Sequence, residues 1–200
     1  PDNRREAIKW YTKAAEQGVP LAQYRLGEFY ASGEVVSEHK ETAVKWFTLA
    51  ATSGYPLAQY KLGMMYVRGE GVLRDREIGA EWISLAAAED IVEAQFHLGV
   101  FYQYGIGVKK NREAWVKWLT KAAKQGYVDA QVKLGYMYWT GEGVLTDYAK
   151  AYMWFNLADY NGSTEGKMEK DEIAKVMPLV QIAKAQEMSS ECLNSGYNNC

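Results

Sequence analysis

Few side chains in this 200-residue sequence could support acid-base, nucleophilic or metal chemistry. The chain has only 2 His and 2 Cys, and His39 and His97 are too far apart to form a metal-ligand motif. No serine is adjacent to a histidine in the sequence, which leaves no local nucleophile and base pair. We therefore predict no catalytic residue, no metal site and no cofactor, and the protein is not expected to be an enzyme.

The repeated Gly-x-Gly-Val sequence, as at Gly69 to Val72, has the glycine content of a phosphate-binding loop. It follows a helical pattern instead of a strand, however, and it lacks the Lys-Ser/Thr pair of such loops. Glu34, Glu70 and Glu142 each place one carboxylate in these loops, far short of the roughly six to eight oxygen ligands that calcium requires. We interpret them as solvated turn residues.

Composition excludes several classes of partner. A formal net charge of -2 and a pI near 5.8 give no basic excess of the kind that nucleic-acid binding uses. No apolar run approaches the roughly 18 residues that a membrane span needs, so we expect no direct membrane insertion. With 48% hydrophobic and 24% charged residues the chain is expected to be ordered.

The sequence repeats itself at a stride of 36 residues. The matching positions are Trp10, Trp46, Trp82, Trp118 and Trp154; Gly27, Gly63, Gly99 and Gly135; and Tyr30, Tyr66, Tyr102 and Tyr138. A fixed period in this range indicates units that cannot close a core alone and bury their apolar faces against neighbours. We therefore predict a solenoid built from 36-residue repeats.

Each repeat contains two helical patterns. Ala58, Leu62 and Tyr66 are four residues apart and form one stripe of a first helix, helix A, which ends at Gly69. A second pattern, helix B, begins after Asp75. Short loops make neighbouring helices antiparallel. At the end of helix B we expect a left-handed cap at Gly18, Gly54, Gly126 and Gly162, and a slightly strained one at Asp90.

The glycines in the middle of helix A require an explanation, because glycine costs about 1 kcal/mol there relative to alanine. We predict a close crossing of helix B that leaves no room for a Cβ atom. The alanines at 14, 50, 86 and 122 are expected to form the facing small surface, and the repeated tryptophans to fill the space between repeats.

These positions resemble the SEL-one-like repeat family, which is related to the tetratricopeptide repeats. In repeat two the shared positions are Ala58-Gln59, Leu62-Gly63, Tyr66, Gly69, Gly71-Val72, Trp82 and Ala86-Ala87. Departures are Val35 for a loop glycine, Gly79 and Trp115 for a helix-B alanine, and Asp90 for a capping glycine. With the periodicity, the resemblance implies an all-α fold, a right-handed α/α superhelical solenoid of antiparallel helix pairs.

We divide the chain into three parts. Residues 3–20 are expected to be helix B of a truncated preceding repeat, residues 21–162 to be four complete repeats, and residues 163–200 to be capping helices with a cysteine-bearing tail. The capping helices are expected near 168–176 and 179–193, separated by Pro178, with a polar outer face.

The resemblance implies a protein-protein interaction scaffold that holds a partner protein or peptide in a concave groove lined by helix A of each repeat. Carried over through the matching Leu-Gly and Tyr, the binding positions are Tyr24, Glu28, Tyr60, Met64, Arg68, Phe96, Val100, Tyr104, Val132, Tyr136 and Thr140. Beside them Arg25, Lys61, His97 and Lys133 recur at a stride of 36 as a cationic ladder, which favours an acidic partner; a merely solvated face is the alternative.

A second functional class stays open, namely a weak β-lactam or cell-wall hydrolase or binder, as attributed to cysteine-rich relatives. Those relatives carry a cysteine pair in most repeats, whereas this chain has none before Cys192. We expect a monomer, with a dimer through the uncovered face of the N-terminal helix as the alternative.

Cys192 and Cys200 lie 8 residues apart in a polar tail. Paired tail cysteines resemble those of exported bacterial family members, which implies a disulfide and a periplasmic or secreted protein. Two free thiols in a cytoplasmic protein are the alternative.

Overall fold

A computed structural model describes residues 2–33 and 39–200, and these residues form eleven α-helices and no β-strand. Val35 and Glu34 lie outside the described residues. The helices are α1 (Asp2–Glu16), α2 (Pro20–Ser32), α3 (Lys40–Thr52), α4 (Pro56–Arg68), α5 (Arg76–Ala88), α6 (Val92–Tyr104), α7 (Arg112–Ala123), α8 (Val128–Thr140), α9 (Tyr148–Tyr160), α10 (Thr164–Ala174) and α11 (Leu179–Asn194).

The predicted all-helical repeat is confirmed. Helices α2, α4, α6 and α8 are the A helices, and α3, α5, α7 and α9 are the B helices that follow them. The chain divides into two compact units. Unit 1 extends to Ala94 and includes Gly105–Lys109, whereas unit 2 comprises Gln95–Tyr104 and Lys110–Cys200.

Within each unit, sequential helices pack against each other. In unit 1 the packed pairs are α1 with α2, α2 with α3, α3 with α4, and α4 with α5. In unit 2, α8 packs on α7 and α9, and α9 also contacts α10 and α11. The buried core therefore runs between neighbouring helices in each unit, as expected for repeats that cannot close a core alone.

The turn from helix A to helix B has a glycine cap at one end and a polar cap at the other. Gly69 ends α4 with φ 73°, a backbone conformation that side chains disfavour. The Asp75 carboxylate then accepts hydrogen bonds from the backbone N–H groups of Glu77 and Ile78, each at 3.0 Å. His39 caps α3 in the same way through Nδ1, which accepts from the N–H of Thr42 at 3.3 Å.

The turn from helix B to the next helix A follows the prediction at all five positions. Gly54 has φ 82°, and Gly18, Gly126 and Gly162 lie in the same left-handed region. Asp90, which replaces the glycine in one repeat, is also left-handed, with φ 59°. Aspartate tolerates this conformation better than most residues, so the turn is kept.

The close crossing at the helix-A glycines is confirmed, but the predicted facing residues are wrong. A Cβ atom on Gly135 would lie 2.4 Å from the Phe155 ring, and one on Gly27 would lie 2.5 Å from the Phe47 ring. In α4 a Cβ on Gly63 would lie 2.8 Å from the carbonyl oxygen of Gly79. The facing side chains are Phe47, Ile83, Leu119 and Phe155, not the alanines at 14, 50, 86 and 122.

The prediction that the repeated tryptophans fill the space between repeats is confirmed only in part: Trp46 and Trp82 pack against core clusters of unit 1, but as partly buried rings. Trp154 is buried at 3% exposure, but Trp46, Trp82 and Trp118 are only half-buried, and Trp10 is 64% exposed. The residues that fill the helix crossings are those that follow these tryptophans in the chain, namely Phe47, Ile83, Leu119 and Phe155. A helix cannot direct two consecutive side chains to the same neighbouring helix, so the tryptophans point elsewhere.

Buried glutamines connect α2, α4 and α8 to the helix that precedes each of them. The side-chain amides of Gln23, Gln59 and Gln131 donate to the carbonyls of Ala15, Ala51 and Ala123 at 3.1, 3.3 and 3.2 Å. Each of these carbonyls also accepts a hydrogen bond from the backbone N–H of the glycine in the following turn, Gly18, Gly54 or Gly126, at 3.0 Å. The glutamines therefore supply a second donor to carbonyls at the turn and hold helix A against the end of the preceding helix.

The other atom of these amides, Oε1, is satisfied in unit 2 but not in unit 1. Gln125 donates to Oε1 of Gln95 at 2.9 Å, and Asn161 donates to Oε1 of Gln131 at 3.0 Å. Glu89 occupies the equivalent position relative to Gln59, and an ionised carboxylate has no proton to donate. Oε1 of Gln59 accordingly has no partner among the described residues.

The C-terminal helices differ from the prediction in position and in surface. Helix α10 begins at Thr164, four residues earlier than expected, because the Ser163 hydroxyl accepts from the N–H of Gly166 at 2.9 Å and caps it. The expected polar outer face is wrong in part. Val176, Leu179 and Val180 are 63%, 84% and 76% exposed around the turn between α10 and α11.

A disulfide joins Cys192 to Cys200, whose Cα atoms are 4.8 Å apart. The closed tail carries Tyr197, whose hydroxyl accepts from the Asn161 amide at 2.8 Å and donates to Asn161 Oδ1 at 3.1 Å. Asn161 is the residue that also satisfies Gln131. The disulfide-closed tail is therefore hydrogen-bonded to the C-terminal end of α9.

We predict that Gly135→Ala lowers the free energy of unfolding by about 1 to 2 kcal/mol, because overpacking against Phe155 outweighs the helix propensity of alanine. Phe155→Leu alone should also destabilise, by about 1 to 2 kcal/mol, through lost packing. The double variant should be more stable than the sum of both losses by about 1 kcal/mol or more. Urea unfolding of the four proteins measures this coupling, and strict additivity would contradict the crossing.

We predict that Glu89→Gln raises the free energy of unfolding by about 1 kcal/mol, because the new amide can donate to Oε1 of Gln59. Removing a negative charge at the C-terminal end of α5 also favours the helix dipole. Glu89→Met is the control, since it removes the charge without adding a donor. Equal thermal shifts for the two variants would show that the hydrogen bond does not form.

We predict that the oxidised protein has no titratable thiol under non-reducing, denaturing conditions. Reduction of the disulfide should lower the free energy of unfolding by about 2 to 3 kcal/mol, because a short loop in the unfolded chain is released. Thiol titration and calorimetry with and without reductant measure both effects. The Cys192→Ser/Cys200→Ser variant should be insensitive to reductant, and two thiols in the untreated protein would contradict the pairing.

Candidate functional site

Two cavities, one in each unit, contain most of the predicted binding residues that the structure brings together. The first cavity has a volume of about 310 Å³ and is lined by Glu28, Ala31, Ser32, Lys40, Phe47, Lys61, Met64, Met65, Arg68 and Glu70. The second cavity also has a volume of about 310 Å³ and is lined by Phe96, Asp129, Val132, Lys133, Tyr136 and Glu165.

The first cavity has an apolar floor. Phe47 and Met65 are buried in the core of unit 1, and Met64 and Ala31 are half-buried beside them. The floor exists because consecutive A helices, α2 and α4, pack against α3 from either side. Methionine side chains are flexible and adapt to apolar groups of different shape, so this floor can accept apolar side chains of different shapes.

Charged groups surround this floor, and within the described part of the lining all of them except Lys61 are paired. Glu70 lies 3.7 Å from both Lys40 and Arg68, and Glu28 lies 2.8 Å from Arg25. Lys61 is exposed and has no ion-pair partner among the described residues. Among the described residues, the lining includes the cations Lys40, Lys61 and Arg68 and the carboxylates of Glu28 and Glu70.

Tyr24 was predicted to be exposed in the groove, and that prediction is wrong. It is buried at 5% exposure because its ring packs on Phe47 and Tyr55, with centroids 5.8 and 5.2 Å away. Its hydroxyl donates to Glu28 Oε1 at 2.7 Å. Burial, and then this hydrogen bond, raise the pKa of Tyr24 far above its ordinary value, so the hydroxyl remains a donor at neutral pH.

The second cavity has aromatic walls. The Phe96 ring packs against Tyr127 with centroids 5.0 Å apart. The Tyr136 ring meets Phe155 edge-on at 5.2 Å and stacks parallel to Trp139 at 6.4 Å. Because their ring neighbours hold them, Phe96 and Tyr136 line the cavity as fixed surfaces. Val132 also lines it, although the residue is buried at 6% exposure.

Carboxylates gather around the Tyr136 hydroxyl. This hydroxyl donates to Glu165 Oε1 at 3.2 Å. Burial raises the pKa of Tyr136 far above its ordinary value, and the nearby carboxylates of Glu169 and Glu165 raise it further. Asp129 also lines the cavity, so among its described lining residues two carboxylates face one lysine, Lys133.

The remaining predicted binding residues line neither cavity. Arg25 is held by Glu28, and His97 packs edge-on against Phe96 at 5.5 Å. Thr140 donates to the carbonyl of Tyr136 at 2.8 Å, which satisfies its own hydroxyl. The others are Tyr60 and Val100, which are half-buried, and Tyr104, which is 56% exposed.

Sequence analysis missed several lining residues. Phe47 could have been found, since Phe47, Ile83, Leu119 and Phe155 are bulky and recur at a stride of 36. Lys40 comes from a B helix, and Glu70 from a loop that was interpreted as solvated. Glu165 lies on α10, beyond the repeats, so no periodic signal could assign it to the second cavity.

The described residues contain neither a metal-binding cluster nor a membrane-spanning helix. Across residues 2–33 and 39–200, no three His, Cys, Asp or Glu side chains converge as metal ligands would. In the same part of the chain, no helix combines the length and apolar character required to cross a bilayer.

The architecture defines an α-helical repeat protein, and the chain belongs to the Sel1 repeat family. Sel1 repeats match at residues 1–19, 20–55, 56–90, 92–127 and 128–163. Proteins of this family generally serve as protein-interaction scaffolds and are typically non-catalytic. None of the curated proteins matches the sequence.

Solved structures of related proteins share the fold. One is a protective antigen present in uropathogenic Escherichia coli strains, which displays an SLR fold and is 35% identical in sequence, with a TM-score of 0.84. The match covers 95% of this chain and 42% of the antigen chain. A Sel1 repeat protein from Oxalobacter formigenes is 38% identical in sequence, with a TM-score of 0.77. That match covers 84% of this chain and 49% of the Oxalobacter chain. This chain therefore spans less than half the length of either protein.

Similarity to a more distant protein extends to the fold only. An immunity protein from Pseudomonas aeruginosa is 23% identical, with a TM-score of 0.53 over 80% of this chain and 59% of its own.

Proposed function

We propose that this chain is a non-enzymatic scaffold that binds an acidic segment of a partner protein at the first cavity. The occupant would place an apolar side chain on the methionine floor and a carboxylate beside Lys61. One observation carries the proposal: an apolar cavity of about 310 Å³ lies next to an exposed lysine that lacks an ion pair among the described residues.

The surrounding ion pairs support the choice of an acidic partner. Glu28 and Glu70 have cationic neighbours at 2.8 and 3.7 Å, so their charges are already partly balanced. An incoming carboxylate would therefore meet the unbalanced charge of Lys61. A basic segment would meet like charge there, which disfavours the wrong partner.

The dimensions support a short segment as the recognised unit. A cavity of about 310 Å³ is at the small end of the range for ligand pockets and would hold one or two side chains. Binding of a single short motif typically has a dissociation constant in the micromolar range or weaker. Further contacts along the A helices would raise the affinity of a longer partner.

The tail supports an extracytoplasmic location, periplasmic or secreted. Disulfides persist in oxidising compartments and are rare in the cytosol. The Cys192–Cys200 pair therefore favours a partner that the protein meets outside the cytoplasm.

We predict that the blocked pentapeptide Gly-Glu-Leu-Glu-Gly binds the first cavity and that Lys61→Glu weakens it about fivefold. Loss of one exposed charge pair is worth about 1 kcal/mol, which corresponds to this factor. Titration of the ¹⁵N-labelled protein, followed by NMR, measures the dissociation constant and identifies the amides that shift.

Lys45→Glu is the matched control, since Lys45 is exposed on α3 and does not line the cavity. A peptide with serine in place of leucine should bind more weakly if the methionine floor contributes. Equal losses for the two lysine variants, or amide shifts that avoid the lining residues, would overturn the proposal.

A further inference from the structure

We propose that the second cavity binds a positively charged side chain of a partner protein, preferably arginine, between the rings of Phe96 and Tyr136 and the carboxylates of Asp129 and Glu165. This site lies within unit 2 and does not depend on the first cavity. It reverses the charge preference that the sequence predicted for this part of the chain.

The balance of charge is the first argument. Asp129 and Glu165 line the cavity, and Glu169 lies close enough to act on the Tyr136 hydroxyl. None of these three carboxylates forms an ion pair with another residue in the described part of the chain. Lys133 is the only cation among the described lining residues, so they carry a net negative charge that complements a cationic group.

The aromatic walls are the second, independent argument. A cation gains attraction from the face of an aromatic ring, and arginine also stacks its planar guanidinium on such rings. Phe96 and Tyr136 are already held by Tyr127, Phe155 and Trp139, so little side-chain freedom would be lost on binding. The planar fork of arginine also matches a carboxylate better than the compact ammonium of lysine does.

Both lining carboxylates also have a structural role. Asp129 lies in the first turn of α8 and Glu165 in the first turn of α10, where negative charge favours the helix dipole. A purely structural role would change thermal stability when either is neutralised, but it would not make the cavity discriminate between peptides. The test must therefore measure binding and stability separately.

Lys133 provides a test of opposite sign. As a member of the predicted cationic ladder it would attract an acidic partner, so its neutralisation would weaken binding. In a cavity that accepts a cation, the same lysine opposes the ligand, and its neutralisation would strengthen binding.

The experiment titrates ¹⁵N-labelled protein with the blocked pentapeptide Gly-Arg-Leu-Arg-Gly and follows the amides of the second cavity by NMR. The matched probe Gly-citrulline-Leu-citrulline-Gly keeps the shape and removes the charge. Glu165→Gln should weaken the arginine probe about threefold to fivefold, and Lys133→Gln should strengthen it by a similar factor. Glu187→Gln and Lys184→Gln are controls, since both side chains are exposed on α11 and do not line the cavity.

Binding of the arginine probe at these amides, with the two opposite effects, would support the inference. It would be overturned by equal binding of the citrulline probe, by weaker binding to Lys133→Gln, or by shifts confined to other amides. Because the Glu165 side chain is exposed, the Glu165→Gln variant should remain folded, and its melting temperature checks this. If that variant does not fold, Asp129→Asn is used in its place. Binding of the acidic peptide Gly-Glu-Leu-Glu-Gly to the first cavity is measured in a separate titration, so either proposal can fail without the other.

Discussion

The contact between a glycine and a bulky side chain, repeated in every helix pair, is the constraint on which the rest of the structure depends. Gly27, Gly63, Gly99 and Gly135 each face a large residue of the following B helix, and a Cβ would lie 2.4 to 3.2 Å from the nearest atom. With about 100° per residue, Lys61 and Arg68 are turned roughly 140° to 160° away from Gly63. The crossing thus fixes which face of helix A stays available for a partner.

The repeat preserves this crossing but not the chemistry of the available face. Met64 and Tyr136 occupy equivalent positions two repeats apart, as do Lys61 and Lys133. Nevertheless, the described lining residues of the first cavity include two methionines and the exposed Lys61, whereas those of the second include two aromatic residues and two carboxylates. Packing requires the same residue types in each repeat, but solvent-facing positions are free to differ. One frame can therefore present two distinct binding surfaces.

Much of the fold was predictable because local rules act within a single repeat. The spacing of Ala58, Leu62 and Tyr66 predicted α4. Gly69 and Asp75 indicated the turn between α4 and α5, because helix caps are hydrogen bonds between residues close in the chain. The tryptophans show the limit of such rules. Trp10 and Trp154 have the same register but are 64% and 3% exposed, because burial depends on which helices cover each position. Glu165 joined the second cavity from outside the repeats, with no sequence signal.

The sequence by itself determined the period, the helical class, the turns and the family, because each of these depends on residues close in the chain or on exact repetition. Tertiary structure alone decided which side chain fills each crossing, which glutamine carbonyls find donors, and what charge each cavity carries. Those properties depend on residues far apart in the chain, such as Gly135 and Phe155 or Phe96 and Glu165, whose distances are set only when helices pack. Hence the scaffold can be inferred from periodicity, but the chemistry of its surfaces cannot.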